Sequence, residues 1–251
     1  MQNQTKKYEN SYSRKSSVKW MFRFDVHYRC KRLVELFQKL TISTENNSVM
    51  DFGFGGGQLL KTFPKSCRIT GADVSRSGIE RARSDPEFKQ YTSAHFVQVG
   101  EDGVSSYPKG PFDIIVTSHT LEHVLDDKET LEAFHGSLER GGILAVFVPI
   151  EEPDYIQFHV RNYSVQGIGN LVARSGFEVL HLEGSMYANG HIWKLITIPS
   201  RRHWPVIGQI VNGIRVVTLS LLPYPVFRLF DRFLYSIGVG ARQACVIARK
   251  P

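Results

Sequence analysis

The stretch VMDFGFGGGQLL, residues 49–60, decides how this chain is read. A short apolar run ends in Asp51, and Gly53, Gly55, Gly56 and Gly57 follow it. Glycine reaches left-handed backbone conformations and lets a ligand approach bare N–H groups. Three kinds of ligand use such a turn: a dinucleotide, a phosphate, or a nucleoside without phosphate. A dinucleotide fold asks for G-x-G-x-x-G; Gly53 and Gly55 fit, but Gln58 stands at the third position. A phosphate loop asks for Gly-Lys followed by Ser or Thr, which is absent here. What remains is a carboxylate followed by alternate glycines, with no lysine to neutralise phosphate. That set suits a ligand carrying an amine and hydroxyls. Asp73, twenty residues after Gly53 and at the end of the next predicted strand, is placed to take both hydroxyls of a ribose.

Outward from this turn, strand and helix signals alternate. Strands are predicted at 49–52, 68–73, 94–99, 112–118, 143–149 and 177–183. Between them, helices are predicted to start at Gln58 and to cover 77–84 and 164–175. A further helix begins at the cap Asp126, with Glu129 completing a capping box. Leu131, Phe134 and Leu138 are its apolar stripe, and Gly141 its stop. The alternation implies right-handed crossovers and an α/β, doubly wound, mostly parallel sheet of seven strands, Rossmann-like in plan. The last strand, 241–250, alternates polar and apolar residues and is expected to run antiparallel. Residues 1–17 read as disordered, and 18–44 as an N-terminal cap helix with Leu33, Leu36, Phe37 and Leu40 at helical spacing. A helical insertion of about 184–240 precedes the last strand.

Composition narrows the class. The 251 residues are 42% hydrophobic and 22% charged, ordinary for a globular chain. Three widely separated cysteines make no metal or disulfide framework, and the first residues carry no apolar leader, so a reducing cytoplasm is expected. Net charge is +7, unevenly spread: residues 1–40 and 201–251 each carry +7, and 41–200 carry −7. The basic ends fit a face that meets something anionic, such as a lipid headgroup or an acidic substrate. No aromatic-studded basic run is present, so no nucleic acid partner is expected.

The pieces VMDFGFGGG, ITGADVS, FVQVGEDG, GPFDIIVTSHTLEHVLD and LERGGILAVFVP occur in one order over residues 45–185, with ACVIARK near the end. In that order they resemble the class I S-adenosylmethionine-dependent methyltransferases. The resemblance implies a methyltransferase domain at 45–251 with S-adenosyl-L-methionine as cofactor. It implies Asp51 near the methionyl ammonium, Gly53, Phe54 and Gly55 along the methionyl chain, and Asp73 with Val74 at the ribose. Gly100, Glu101 and Asp102 would lie beside the adenine, although Gly100 stands where the family often has an acid. His119 would lie at the reacting end of the pocket.

An activated methyl needs only an aligned nucleophile and, for an oxygen, a group to take its proton. His119 follows the fourth strand and is the candidate base or orienting group. Residues 119–123 also match H-x-x-E-H, a zinc-peptidase pattern, but this turn leaves a strand and is cut by the Asp126 cap, so no metal is expected. After the fifth strand, His159, Arg161 and Tyr163 are candidate acceptor contacts. Trp20 and Tyr28 in the N-terminal segment and His191 in the insertion join them, with Tyr187 nearby. The aromatic content of both segments fits an apolar or aromatic small-molecule acceptor, with O-methylation favoured. Residues 200–238 are a candidate for peripheral membrane contact, since "PVFRLFDRFLYSI" has an apolar face opposite Arg228, Asp231 and Arg232. Two other classes stay open: a nucleoside-binding scaffold without catalysis, and an oxidoreductase using NAD.

Overall fold

The computed structural model describes residues 23–100, 107–150, 159–187 and 204–251. Seven strands form one sheet: β1 (Ser48–Phe52), β2 (Arg68–Asp73), β3 (Ser93–Gln98), β4 (Phe112–Ser118), β5 (Leu138–Pro149), β6 (Glu178–Ser185) and β7 (Gln243–Arg249). Their order is β3-β2-β1-β4-β5-β7-β6. Strands β1 to β5 pair in parallel, while β7 runs antiparallel between β5 and β6. Six helices are described: α1 (Phe24–Lys39), α2 (Arg76–Ser84), α3 (Asp127–Ser137), α4 (Val165–Arg174), α5 (Pro205–Leu221) and α6 (Tyr224–Ser236). The α/β sheet and its antiparallel last strand are as the sequence implies.

Successive side chains of the central strands feed two separate cores. Val49, Ile114, Val116, Ala145 and Phe147 enter one, and Met50, Ile115, Leu144 and Val146 the other. Alternation in a strand buried on both faces produces this division. Helix α1 covers the first core with Leu33, Leu36 and Phe37. Its first turn joins a third cluster instead, where Phe24 and Tyr28 meet Met186, Leu219, Phe227 and Leu234. The N-terminal helix is therefore a layer of the domain as well as a link to the insertion.

Three helices start on side-chain caps. Ser75 Oγ accepts from Gly78 N–H at 3.1 Å, Asp126 Oδ1 from Glu129 N–H at 2.8 Å, and Ser164 Oγ from Gly167 N–H at 3.0 Å. Two expectations are corrected. The helix predicted from Gln58 is a single 3-10 turn, Leu60–Thr62, because Pro64 follows and Phe63 takes an extended conformation (φ −81°, ψ 150°). Leu138 is not the end of the helical stripe. Helix α3 stops at Ser137, and Leu138 opens β5 opposite Phe112, buried but in the sheet. Of the N-terminal expectations, residues 1–17 and the first turns from residue 18 lie outside the described residues. Among the described residues, no single helix is long and apolar enough to cross a membrane.

Candidate active site

Strand β1 has β2 on one side and β4 on the other, so the sheet changes direction at its C-terminal end. Open α/β sheets form a ligand crevice at such a switch point. Asp51 lies here, 1% exposed, and its Oδ1 is buried without a hydrogen-bond partner. Burial, with the Asp73 carboxylate as a second cause, raises its pKa well above the ordinary range.

The turn beyond it depends on glycine at defined points. Gly53, Gly55 and Gly57 have φ of +76°, +54° and +72°. A Cβ on Gly53 would stand 2.1 Å from Thr120 Oγ1, and one on Gly57 would stand 2.4 Å from the Phe88 ring. Phe54 turns its side chain into the core, packing on Phe96 with ring centroids 5.4 Å apart, so only its backbone borders the turn. Across the crevice, Asp73 Oδ2 accepts from Gly55 N–H and Oδ1 from Ser75 N–H, both at 2.9 Å. These bonds tie the glycine turn to the end of β2 and fix the carboxylate. Val74 is half-buried beside it, and Gly100 ends the described chain after β3. Glu101 and Asp102, expected beside the adenine, lie outside the described residues.

His119 leaves β4 with φ of +55°, a conformation disfavoured for a residue with a Cβ. Its backbone N–H donates to Phe147 O at 2.8 Å. The ring keeps 32% of its side-chain surface open. Its Nε2 lies 3.1 Å from Arg29 Nη1 and 3.1 Å from Gln243 Oε1. One nitrogen cannot both accept from Arg29 and donate to Gln243, so the two contacts compete. With Arg29 donating, the ring proton sits on Nδ1, on the side of Glu122, whose Oε1 is 3.9 Å away. Burial first, and the Arg29 guanidinium second, lower the His119 pKa well below its ordinary value. The ring is therefore neutral at neutral pH.

Arg161 and Tyr163, the candidate acceptor contacts, fasten the loop after β4. Arg161 Nη1 donates to the carbonyls of Leu121 at 3.0 Å and Val124 at 2.7 Å, with Nε 3.3 Å from Asp127 Oδ2. The Tyr163 hydroxyl donates to the same Asp127 oxygen at 2.7 Å. The reason is local: the carbonyls of a turn leaving a strand need donors, and these two side chains supply them. Tyr28 is likewise engaged. It is buried among aromatic rings, with its hydroxyl between Asp231 Oδ2 (3.3 Å) and Arg228 Nη1 (3.0 Å). His159 packs edge-on against His123, centroids 4.7 Å apart. Ligand atoms of Glu122, His123 and His159 all lie within 4.8 Å, the group among the described residues that could hold a metal ion. It does not include His119, so it is not the H-x-x-E-H pair. Trp20 and His191 lie outside the described residues.

Three participants escaped the sequence reading: Arg29, Arg32 and Gln243. Arg29 and Arg32 are buried on the same helix as Leu33 and Leu36. Charges on a buried stripe were the available signal, since such groups are kept only when paired. Arg29 meets Asp25 at 3.3 Å as well as His119. Arg32 donates from Nε to Glu183 Oε1 at 2.6 Å and lies 2.7 Å from Glu35. Burial opposes ionisation of Glu183, but His181 and Arg32 outweigh it and hold the pKa at about 2. Gln243 carries no sequence signal; the antiparallel placement of β7 brings it to the site.

A mixed sheet of this order, with a glycine turn at the switch point and a carboxylate at the end of each of two neighbouring strands, defines the class I methyltransferase fold. A model described as a methyltransferase domain matches residues 21–182, and the chain belongs to that family. It is 28% identical over 142 residues to a ubiquinone biosynthesis O-methyltransferase of Hydrogenovibrio crunogenus, covering 55% of this chain and 56% of that one. The chain spans about half the length of the curated relatives it matches, 40% to 56%. Among solved structures, a putative sarcosine dimethylglycine methyltransferase from Galdieria sulphuraria superposes with a TM-score of 0.60 at 13% identity, covering 88% of this chain and 85% of that one. The [4+2]-cyclase SpnF superposes at 0.56 and 18% identity, covering 88% and 80%.

Proposed function

We propose that this protein transfers a methyl group from S-adenosyl-L-methionine to an oxygen of a small, apolar or aromatic acceptor. The observation that carries the reading is the buried Asp51 oxygen without a partner, behind a turn of three left-handed glycines and facing Asp73. A buried carboxylate pushed toward its neutral form gains most from a cation brought against it. The methionyl ammonium is such a cation, and Gly53 and Gly55 leave room for the chain that bears it. Asp73, held by two backbone donors, is the carboxylate placed for the ribose hydroxyls. When bound, the cofactor supplies an electrophilic methyl on sulfur.

The chain's own work is then alignment and proton handling. Arg29 holds the His119 ring, and the lowered pKa keeps that ring unprotonated at neutral pH. With Nε2 accepting from Arg29 and the proton on Nδ1, the ring orients the acceptor rather than taking its proton, which suits a hydroxyl acidic enough to ionise readily, as in a phenol. The similarity to ubiquinone biosynthesis O-methyltransferases supports oxygen as the methylated atom.

The test is transfer of labelled methyl from the cofactor to a panel of alkylated phenols and catechols. The reading expects label on oxygen. Cofactor binding with no label on any acceptor would favour a nucleoside-binding scaffold instead.

A further inference from the structure

Helices α5 and α6 each carry an apolar stripe that the body does not cover. On α5 it runs through Val206, Ile210, Ile214, Val217 and Leu221, spaced by four, four, three and four residues. On α6 it runs through Val226, Leu229, Phe230 and Phe233, with Ile237 just past its end. Of sixteen exposed large apolar side chains among the described residues, thirteen lie within 204–237. A helix normally turns one apolar stripe to the core and a polar face to water. Helix α6 meets the core with Phe227 and Leu234, and its second apolar face remains outside. A surface of this extent marks an interaction site.

We propose that these outward stripes lie in the headgroup and acyl boundary of an anionic bilayer, as a monotopic anchor. The chain direction turns by 116° between the two helices, so together they cannot form a straight span, but they can dip into one leaflet. Leu221, at the bend, is the most exposed of the set at 75%. Trp204 and Tyr235, toward the opposite ends of the pair, are both exposed, as aromatic groups are at membrane interfaces.

Charge selects the occupant. Residues 201–251 contain eight Lys and Arg against one acid. That acid, Asp231, is buried and accepts from Tyr28 and the Met186 N–H. On the helix pair itself Arg232 is exposed and Arg228 half-buried, while Arg249 and Lys250 lie at the far end of β7; the pair has no exposed acid of its own among the described residues. A two-fold contact with a second copy would offer the exposed Arg232 no acid from the same helices among the described residues. Anionic headgroups would complement it.

The inference does not rest on the acceptor's identity, and its test reads binding alone. The full chain is sedimented with vesicles of phosphatidylcholine, with and without about 30% phosphatidylglycerol. The wild type is expected to partition onto the anionic vesicles. The double variant Leu221→Asp, Leu229→Asp is expected to partition at least about tenfold less, with the same melting temperature and the same affinity for S-adenosylhomocysteine. A wild type that stays in solution with both vesicles would overturn the proposal. So would a double variant that partitions as the wild type does. A dimer by light scattering that the variant splits, with no vesicle binding, would also overturn it and assign the face to a second copy.

Discussion

Arg29, buried on α1, places Nη1 3.1 Å from Nε2 of His119 at the end of β4. The contact joins the N-terminal helix to the C-terminal end of β4, and through the adjacent Tyr28 to the insertion. A guanidinium at that distance opposes a proton on the ring, adding to the effect of burial. Replacement of Arg29 by methionine should therefore raise the His119 pKa toward its ordinary value, and the shift is read directly by NMR titration of the ring. An unchanged titration would show that burial alone sets it.

The same lowering has a consequence for stability. The unfolded chain binds a proton at His119 near pH 6.5 while the folded chain does not. Stability from this group is thus complete above that pH and declines as the pH falls from there toward the folded value. The variant His119→Asn should lose that part of the slope in thermal melts between about pH 5 and 7. An identical pH dependence would remove His119 from the buried network.

Asp51 behaves in the opposite sense. Its raised pKa means the folded state holds the proton better than the unfolded one, so stability declines as pH rises through the folded value. Asp51→Asn should raise the neutral-pH stability of the ligand-free protein by about 1 kcal/mol, or about 2–4 °C in melting temperature. It should also abolish cofactor binding. A variant both less stable and still competent to bind would contradict the assignment.

Two glycines should respond in opposite directions. Gly53→Ala meets Thr120 and a positive φ, and should destabilise by about 1–3 kcal/mol. Gly136, within α3, has nothing within 4 Å of a Cβ position. Gly136→Ala should stabilise by about 0.5–1 kcal/mol through helix propensity. Urea unfolding of both variants checks the pair.

The fold was legible because its signals are local. Apolar runs at 112–118 and 143–149, the Ser and Asp caps, and glycines where the chain turns each determine conformation over a few residues. The order of Asp51, the glycines and Asp73 was legible for the same reason: they lie on two consecutive strands. What escaped depends on distant pairing. Arg29 and Gln243 reach His119 from positions 90 and 124 residues away. The loop carbonyls and the Asp127 carboxylate that Arg161 and Tyr163 serve are likewise distant in sequence. The helix expected at Gln58 failed on a single residue, Pro64, whose restriction of Phe63 outweighed the apolar spacing before it.

Calorimetric titration with S-adenosylhomocysteine, in the wild type and in Asp73→Ala, tests the central claim most directly. The account predicts that the wild type binds it in preference to NAD. It also predicts that loss of the Asp73 carboxylate weakens binding by at least about tenfold, as expected for hydrogen bonds from hydroxyls to a buried charge. Equal affinity in the two proteins, or tighter binding of NAD by the wild type, would contradict it.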